Sequence, residues 1–495
     1  MAADQNEELH IVMLPWLAFG HMIPFLELSK SLAQRGHRIS FVSTPRNIAT
    51  LPKLPPNLVP LISFVKLSLP DVDGLPENAE ATSDVSYEKI PYLKKAFDGL
   101  ELPLARILEI SPPDWIIYDF APYWLPPIAS RLGVPCAFFY TFTAAAIAFF
   151  GPPRLQAPSS VEIEYSRTKP EHFTVPPKWV PFPSDVVFRL HEILRMFDRV
   201  DANASGVSDG YRFSSTMNGC SIVAVRSCIE FEAEWLHLLQ GGLFKKPVIP
   251  VGLFPRSVKA TGDVADDADE RWIGIREWLD KQKEGSVVYI ALGSEVIPSQ
   301  DEMNELALGL ELSGLPFFWV LRMPTGLTGF DSVLPSGFEQ RTGGRGFIYR
   351  GWAPQLRVLA HPSVGSFVTH CGFSSIIEAF ALGCPLILLP LLNDQPLNAR
   401  LLQGKKIGLE IPRDERDGSL SRDSVAESLR IVMVEKAELF KAQAREMRKI
   451  FGDKARHDRY VDDFDNYLRH HGRRCPKMTS QAGFETPESV TMGSH

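Results

Sequence analysis

Short apolar runs alternate with longer stretches of helical period through most of the chain. In the first half, residues 9–15, 38–43, 115–118 and 134–140 are strand-like, and the first two are separated by a helix-like stretch over 22–35. Runs with so little polar alternation suit strands buried on both faces, so the βαβ order predicts a parallel sheet covered by helices. The habit repeats at 287–292, 317–321, 365–368 and 386–389. Between the two series, the segment from Pro250 to Glu270 is rich in Gly, Pro and Asp, as a linker is. The pattern predicts an α/β chain of two doubly wound Rossmann-like domains facing a cleft, 1–250 and 272–455, joined by a linker over 251–271. Residues 421–451 read as one long helical element, and 472–495, with no periodic apolar face, as a disordered tail.

Composition narrows the class. The 495 residues exceed one ordinary domain, and 45% hydrophobic against 22% charged residues gives ample core. A net charge of −7 without a long basic run argues against nucleic acid as a partner. The opening MAADQNEELH is polar and acidic, unlike a secretory signal, and no run reaches the ~18 apolar residues of a membrane span. The apolar run 144–150 stops at Gly151-Pro152-Pro153. A cytoplasmic protein without integral membrane association is expected, its six cysteines free thiols because no CxxC pairing occurs.

Candidate chemistry concentrates in the 44 residues from Trp352 to Gln395. Trp352 offers a face for a base to stack on, and Gln355 an amide that both donates and accepts toward a pyrimidine edge. After the apolar run 364–368 come Thr369, His370, Cys371 and Gly372, then Phe373, Ser374 and Ser375 opening an apolar helical pattern. Unpaired amides and the positive dipole end at such a helix start favour phosphate, and His370 and both serines add donors. Glu378 can accept from two ribose hydroxyls, and Asp394 and Gln395, after the next strand, from sugar hydroxyls. Each piece has a plainer reading: Ser375 and Glu378 also fit a capping box, and a lone tryptophan is more often core. Co-occurrence of stacking, phosphate, ribose and sugar groups in a usable order favours a nucleotide-sugar site.

In the first half, His21 and Asp119 each fall just beyond a strand's carboxyl end, where doubly wound sheets bind ligands. Taken singly, one could be a helix-start residue and the other a cap. Phe19, Phe120, Tyr123, Trp124, Phe142, Met196 and Phe197 lie in the less regular loops and could line an apolar pocket for a large planar or polycyclic molecule.

The stretch 352–395, together with Pro15-Trp16-Leu17-Ala18-Phe19-Gly20-His21-Met22-Ile23-Pro24, resembles plant UDP-dependent glycosyltransferases of family 1, and the likeness extends over about residues 9–471. WLAFGHMIPFLELSK with DQPLNARLL is most similar to the group adding a sugar onto a sugar already carried by a terpenoid or flavonoid. The resemblance implies a GT-B fold with an acceptor-binding N-terminal domain, a nucleotide-sugar-binding C-terminal domain, and a helix at 456–471 packing back on the first. It implies inverting, metal-independent transfer from a UDP-sugar co-substrate, with no further cofactor, to a small-molecule glycoside, by a monomer forming a 1→2 branch. His21 would be the general base and Asp119 would orient it. The implied donor set is Trp352, Ala353, Gln355, His370, Gly372, Phe373, Ser374, Ser375, Glu378, Asp394 and Gln395, with Ser294 and Thr143. Two positions depart from the pattern: Phe373 and Ser374 stand where the family commonly has tryptophan and asparagine, leaving the donor open between glucose, suggested by Asp394-Gln395, and rhamnose. The aglycone itself is an alternative acceptor. Among other classes, a nicotinamide dehydrogenase lacks its GxGxxG and a P-loop NTPase its GxxxxGK[ST]; a catalytically silent sugar-nucleotide-binding protein is the stronger rival.

Overall fold

Thirteen strands in two parallel sheets are seen among the described residues of a computed structural model, which are 8–152, 167–197, 203–256, 270–293, 295, 298–321 and 333–472. The first sheet comprises β1 (His10–Leu14), β2 (Arg38–Ser43), β3 (Ile62–Lys66), β4 (Trp115–Tyr118), β5 (Cys136–Tyr140), β6 (Ile222–Val225) and β7 (Val248–Pro250), in the order 3-2-1-4-5-6-7. The second comprises β8 (Val287–Ala291), β9 (Phe317–Leu321), β10 (Gly346–Arg350), β11 (Val364–Thr369), β12 (Leu386–Leu388) and β13 (Gly408–Glu410), in the order 10-9-8-11-12-13. The α/β class and the pair of Rossmann-like sheets predicted from the apolar pattern are thus present.

Burial on both faces explains the unbroken apolar strands. In β1, Ile11 and Met13 join Phe25, Phe41 and Phe139 on one face, while Val12 and Leu14 join Leu104, Ile116 and Phe138 on the other. Helix Lys454–His471 covers the first face with Val461, Phe464 and Leu468. Its attachment is also polar: Trp115 Nε1 donates to the Leu468 carbonyl at 2.9 Å, and His37 Nε2 lies 2.5 Å from Asp465 Oδ1. The second sheet ends in helix Ala437–Phe451, so the chain returns to the first domain after Phe451.

Several boundaries differ from the sequence reading. The first helix is Phe19–Ala33, starting three residues before 22, which puts His21 in its first turn. The segment 421–451 is not one helix but Arg422–Arg430, a wide turn Ile431–Glu435 and Ala437–Phe451. β-Branched Ile431, Val432 and Val434 crowd an α-helical ladder, and the wide turn keeps Val432 buried. Residues 251–256 are not open linker: Val251, Leu253 and Phe254 are buried, and Phe254 packs edge-on against Phe139 at 6.1 Å. The rest of the linker to 269, Ser294 and the tail from 473 lie outside the described residues. Cys136, Cys220, Cys228, Cys371 and Cys384 are buried free thiols. No described helix is long and apolar enough to cross a membrane.

Candidate active site

The strand order puts both sites at switch points. β1 and β4 are neighbours, with Leu14 opposite Tyr118, yet their outgoing connections run to opposite sides, leaving a crevice at their carboxyl ends. His21, in the first turn after β1, and Asp119, directly after β4, meet in that crevice. His21 Nδ1 is 2.6 Å from Asp119 Oδ2, which also accepts from the Trp16 amide at 3.2 Å, while Oδ1 accepts from the Phe120 amide at 2.7 Å. With Nδ1–H committed to the carboxylate, Nε2 is left as the basic nitrogen. Phe142 and Phe120 flank the imidazole, with ring centroids at 5.0 and 5.9 Å. Burial works against the imidazolium, but the Asp119 carboxylate outweighs it, helped by Glu295 and Asp394, and the His21 pKa is raised above 6.5.

The second sheet repeats this geometry. β8 and β11 are neighbours, Ala291 opposite Thr369, and Gly293 and His370 follow their ends. His370 sits between two glycines: a Cβ on Gly293 or Gly372 would lie 2.6 or 2.5 Å from its Nε2. Gly293 also has φ +79°, which favours glycine independently. Burial depresses the His370 pKa to about 4, so its ring is neutral, and its Nδ1 is buried without a hydrogen-bond partner among the described residues. Cys371 turns the chain with φ 67°, and helix Phe373–Leu382 starts with Gly372 as its cap. Its first internal bond runs from the Ile376 amide to the Gly372 carbonyl, so the amides of Phe373, Ser374 and Ser375 are left over at the cleft. The capping-box reading of Ser375 and Glu378 is therefore corrected: Ser375 lies inside the helix, and Glu378 faces other partners.

Those partners extend the site. Glu378 Oε2 accepts from Gln355 Nε2 at 2.9 Å, and Oε1 from Arg256 Nε at 2.9 Å and Nη2 at 2.5 Å. Gln355 Nε2 also reaches Ser375 Oγ at 3.2 Å. Trp352 is 58% exposed, so it is no core residue, and its ring meets Phe19 of the other domain at 6.2 Å. Ala353 is buried beside it. Asp394 Oδ2 accepts from Asn398 Nδ2 at 2.6 Å, and burial raises the Asp394 pKa to about 6. Gln395 Oε1 accepts from the amides of Leu391 and Leu392, pinning the loop before its own helix. Thr143 caps helix Ala144–Phe150 and donates across the domains to Asn398 Oδ1 at 2.9 Å.

One cleft of about 960 Å³ is lined by His21, Asp119, His370, the helix start and the Trp352–Glu378 group, with Asp394 and Gln395; Thr143 does not reach it, because its hydroxyl is buried between the Ala146 amide and Asn398. Phe19, Phe120, Phe142, Met196 and Phe197 line it, but Tyr123 and Trp124 do not. Trp124 packs into the core against Phe97, and Tyr123 turns away to Tyr211 and the Arg212 guanidinium, because the segment leads directly into helix Leu125–Arg131. Residues not anticipated from the sequence also line it: Arg226, Arg256, Glu295, and the ion pair of Lys94 with Asp209 at 2.5 Å. Arg226 follows β6, so the strand-end rule applied to the run Ile222–Val225 would have found it. Among the described residues, no group of three or more His, Cys, Asp or Glu is arranged to hold a metal ion.

Two parallel-sheet domains, with a histidine–aspartate pair at one switch point and a phosphate-type helix start at the other, define the class of nucleotide-sugar-dependent transferases. Comparison with known proteins places the chain within it. Residues 246–481 match the family of UDP-glucoronosyl and UDP-glucosyl transferases. The chain is 50% identical over 467 residues to UDP-glycosyltransferase 91A1 of Arabidopsis thaliana, covering 93% of this chain and 97% of that one. It is 40% identical over 468 residues to soyasaponin III rhamnosyltransferase of Glycine max, covering 94% and 96%. Among solved structures, Glycyrrhiza uralensis UGT73P12 complexed with glycyrrhetinic acid 3-O-monoglucuronide superimposes with a TM-score of 0.74 at 21% identity, over 94% of this chain and 96% of that one. The protein is a plant family 1 UDP-glycosyltransferase.

Proposed function

We propose that the protein transfers a sugar, glucose by preference, from a UDP-sugar to a sugar hydroxyl of a terpenoid or flavonoid glycoside, with inversion, without a metal ion, and forming a 1→2 branch. The observation that carries this reading is the His21–Asp119 pair, whose Nε2 is left free beside the cleft opposite the helix start at Phe373. An acceptor hydroxyl oxygen bonds the anomeric carbon as that carbon's bond to the β-phosphate oxygen breaks. The proton passes to His21 Nε2, Asp119 stabilises the imidazolium, and UDP leaves with the electron pair. The amides of Phe373, Ser374 and Ser375 and the His370 ring take up the developing charge as preorganised donors. Trp352 stacks the uracil, Gln355 reads its edge, Glu378 takes the ribose hydroxyls, and Asp394 and Gln395 take the donor sugar. The protein works as a cytoplasmic monomer.

A glycoside acceptor is supported by the split polarity of the acceptor side. Near His21 lie the Lys94–Asp209 pair, its ammonium 6.0 Å from the Trp16 ring and 5.7 Å from that of Phe120, and the Thr82–Glu295 bond at 3.1 Å. Charged donors and acceptors beside aromatic faces suit a sugar. Phe173, Trp179, Met196 and Phe197 form a largely aromatic arm of the cleft, with the Arg167 guanidinium 4.0 Å from the Phe173 ring centroid, suited to an aglycone. The second reading is a UDP-rhamnose donor, favoured by Phe373 and Ser374 and by the soyasaponin relative.

Mass spectrometry of products, crossing UDP-glucose, UDP-rhamnose, UDP-galactose and UDP-xylose with aglycones and their monoglucosides, tests the proposal. Transfer of glucose to monoglucosides alone is expected. Transfer only to aglycones rejects the glycoside reading, rhamnose as the best donor replaces glucose, and UDP binding without transfer leaves a silent binding protein.

A further inference from the structure

We propose that Arg226, carried by the acceptor domain, binds the diphosphate of the UDP-sugar and clamps it against the start of helix Phe373–Leu382, so that both domains hold the leaving group. The inference rests on the donor reading above and adds to it a cation from the opposite side of the cleft.

Arg226 follows β6, and its side chain crosses to the second domain. Nε donates to the Leu253 carbonyl at 3.0 Å, and Nη1 to Ser374 Oγ at 2.8 Å. The guanidinium lies 5.8 Å from the Phe373 ring centroid, so it sits over the first turn of the helix. It is 97% buried, by the complement of its 3% exposure, yet pairs with no carboxylate among the described residues. The nearby acid Glu378 is occupied by Arg256 and Gln355. Burial lowers the Arg226 pKa to about 9, and the more distant Glu378 and Glu27 carboxylates offset it only in part. A buried guanidinium with no carboxylate in direct contact is an uncommon expense of folding, and Arg is the side chain whose planar fork suits phosphate oxygens.

A second observation points to the same missing ligand. His370 Nδ1, at the same turn, is buried with no hydrogen-bond partner among the described residues. The Arg226 guanidinium, the His370 ring and the leftover amides of Phe373, Ser374 and Ser375 all border the same cleft. A diphosphate there would supply the anion for the guanidinium and the acceptor for the amides. Because Arg226 and Ser374 belong to different domains, the donor would be gripped only when the cleft is closed. The Ser374 hydroxyl, where the family commonly has asparagine, then acts as the seat that fixes the guanidinium.

The test separates phosphate recognition from a merely structural pin. Calorimetric dissociation constants for UDP and for uridine are measured with wild type, Arg226→Ala and Arg226→Lys, alongside kcat and KM for the UDP-sugar. Arg226→Ala should weaken UDP about 10- to 100-fold, the span of one or two charge-assisted hydrogen bonds, while uridine binding stays within about twofold. Arg226→Lys, which keeps the charge and loses the fork, should fall between. Equal loss for UDP and uridine, or no loss for either, overturns the proposal. If Arg226→Ala does not fold, Arg226→Lys and Ser374→Ala carry the same comparison, and an unchanged UDP-to-uridine ratio in both overturns it. Failure of wild type to bind UDP would instead remove the donor reading itself.

Discussion

Replacing Asp119 by asparagine tests the centre of the mechanism with almost no change of shape. In the native site two carboxylate oxygens accept three N–H groups, from His21, Trp16 and Phe120. Asparagine has one accepting oxygen, so one position must present NH₂. If the NH₂ faces Phe120, two donors collide and the loop shifts. If it faces His21, the imidazole must accept at Nδ1 and carry its proton on Nε2, the wrong tautomer for a base. Loss of one hydrogen bond to a charged group costs about 1.5–3 kcal/mol, or roughly 10- to 100-fold in rate. The tautomer penalty adds to this, so kcat should fall by about 10²-fold or more, with UDP affinity within about threefold of wild type. The sign of the pH dependence follows from the raised His21 pKa. The base works when neutral, so kcat/KM for wild type should climb with pH through a midpoint above 6.5, and Asp119→Asn should move that midpoint downward. Product release followed by mass spectrometry over about pH 5–9 reads both effects. Turnover retained within about threefold, or a rising limb that does not move, would refute the role assigned to the pair.

Other outcomes are expected. Asp394→Asn should melt at a higher temperature than wild type near neutral pH while losing transfer activity. The folded-state pKa of about 6 against 3.8 unfolded makes the ionised carboxylate a cost fully present above pH 6 and absent below 3.8, worth about 1–3 kcal/mol, so the gap should close on acidification. Phe464→Ala, which empties a fully buried site between the last helix and the first sheet, should destabilise the protein by about 3–5 kcal/mol, read as a lowered melting temperature. Turnover in excess EDTA should match turnover with added magnesium, since the groups proposed to take up the leaving charge belong to the protein; dependence on added metal would contradict this.

The sequence revealed what is contiguous and what is apolar on both faces. β1, β2, β4 and β5 stand out as apolar runs because both sides of the sheet are covered. β3 and β10 escape that reading because their burial is partial, β7 and β13 because three residues are too few to show a period, and β6 despite full burial because it is a run of only four. The helix start at Phe373 was legible because strand, turn and helix follow each other directly. Arg226 and Ser374 are 148 positions apart, and Lys94 and Asp209 are 115 apart, so only the folded chain brings each pair together. His21 and Asp119, 98 apart, were found because both obey the strand-end rule. Tyr123 and Trp124 obeyed it too closely: near a strand end, a side chain can still turn into the core.

The return of helix Lys454–His471 to the first domain gives the molecule two covalent crossings between its halves, one between β7 and β8 and one between Phe451 and Lys454. Two pivots fix an axis, as two hinges fix a door. A single tether would let the halves drift and twist in any direction; a pair leaves mainly one swing. Any parting of the cleft is thereby held to that swing, which keeps His21 in one register against the helix start. Cutting the chain between Phe451 and Lys454 would free that register while removing no residue that lines the cleft.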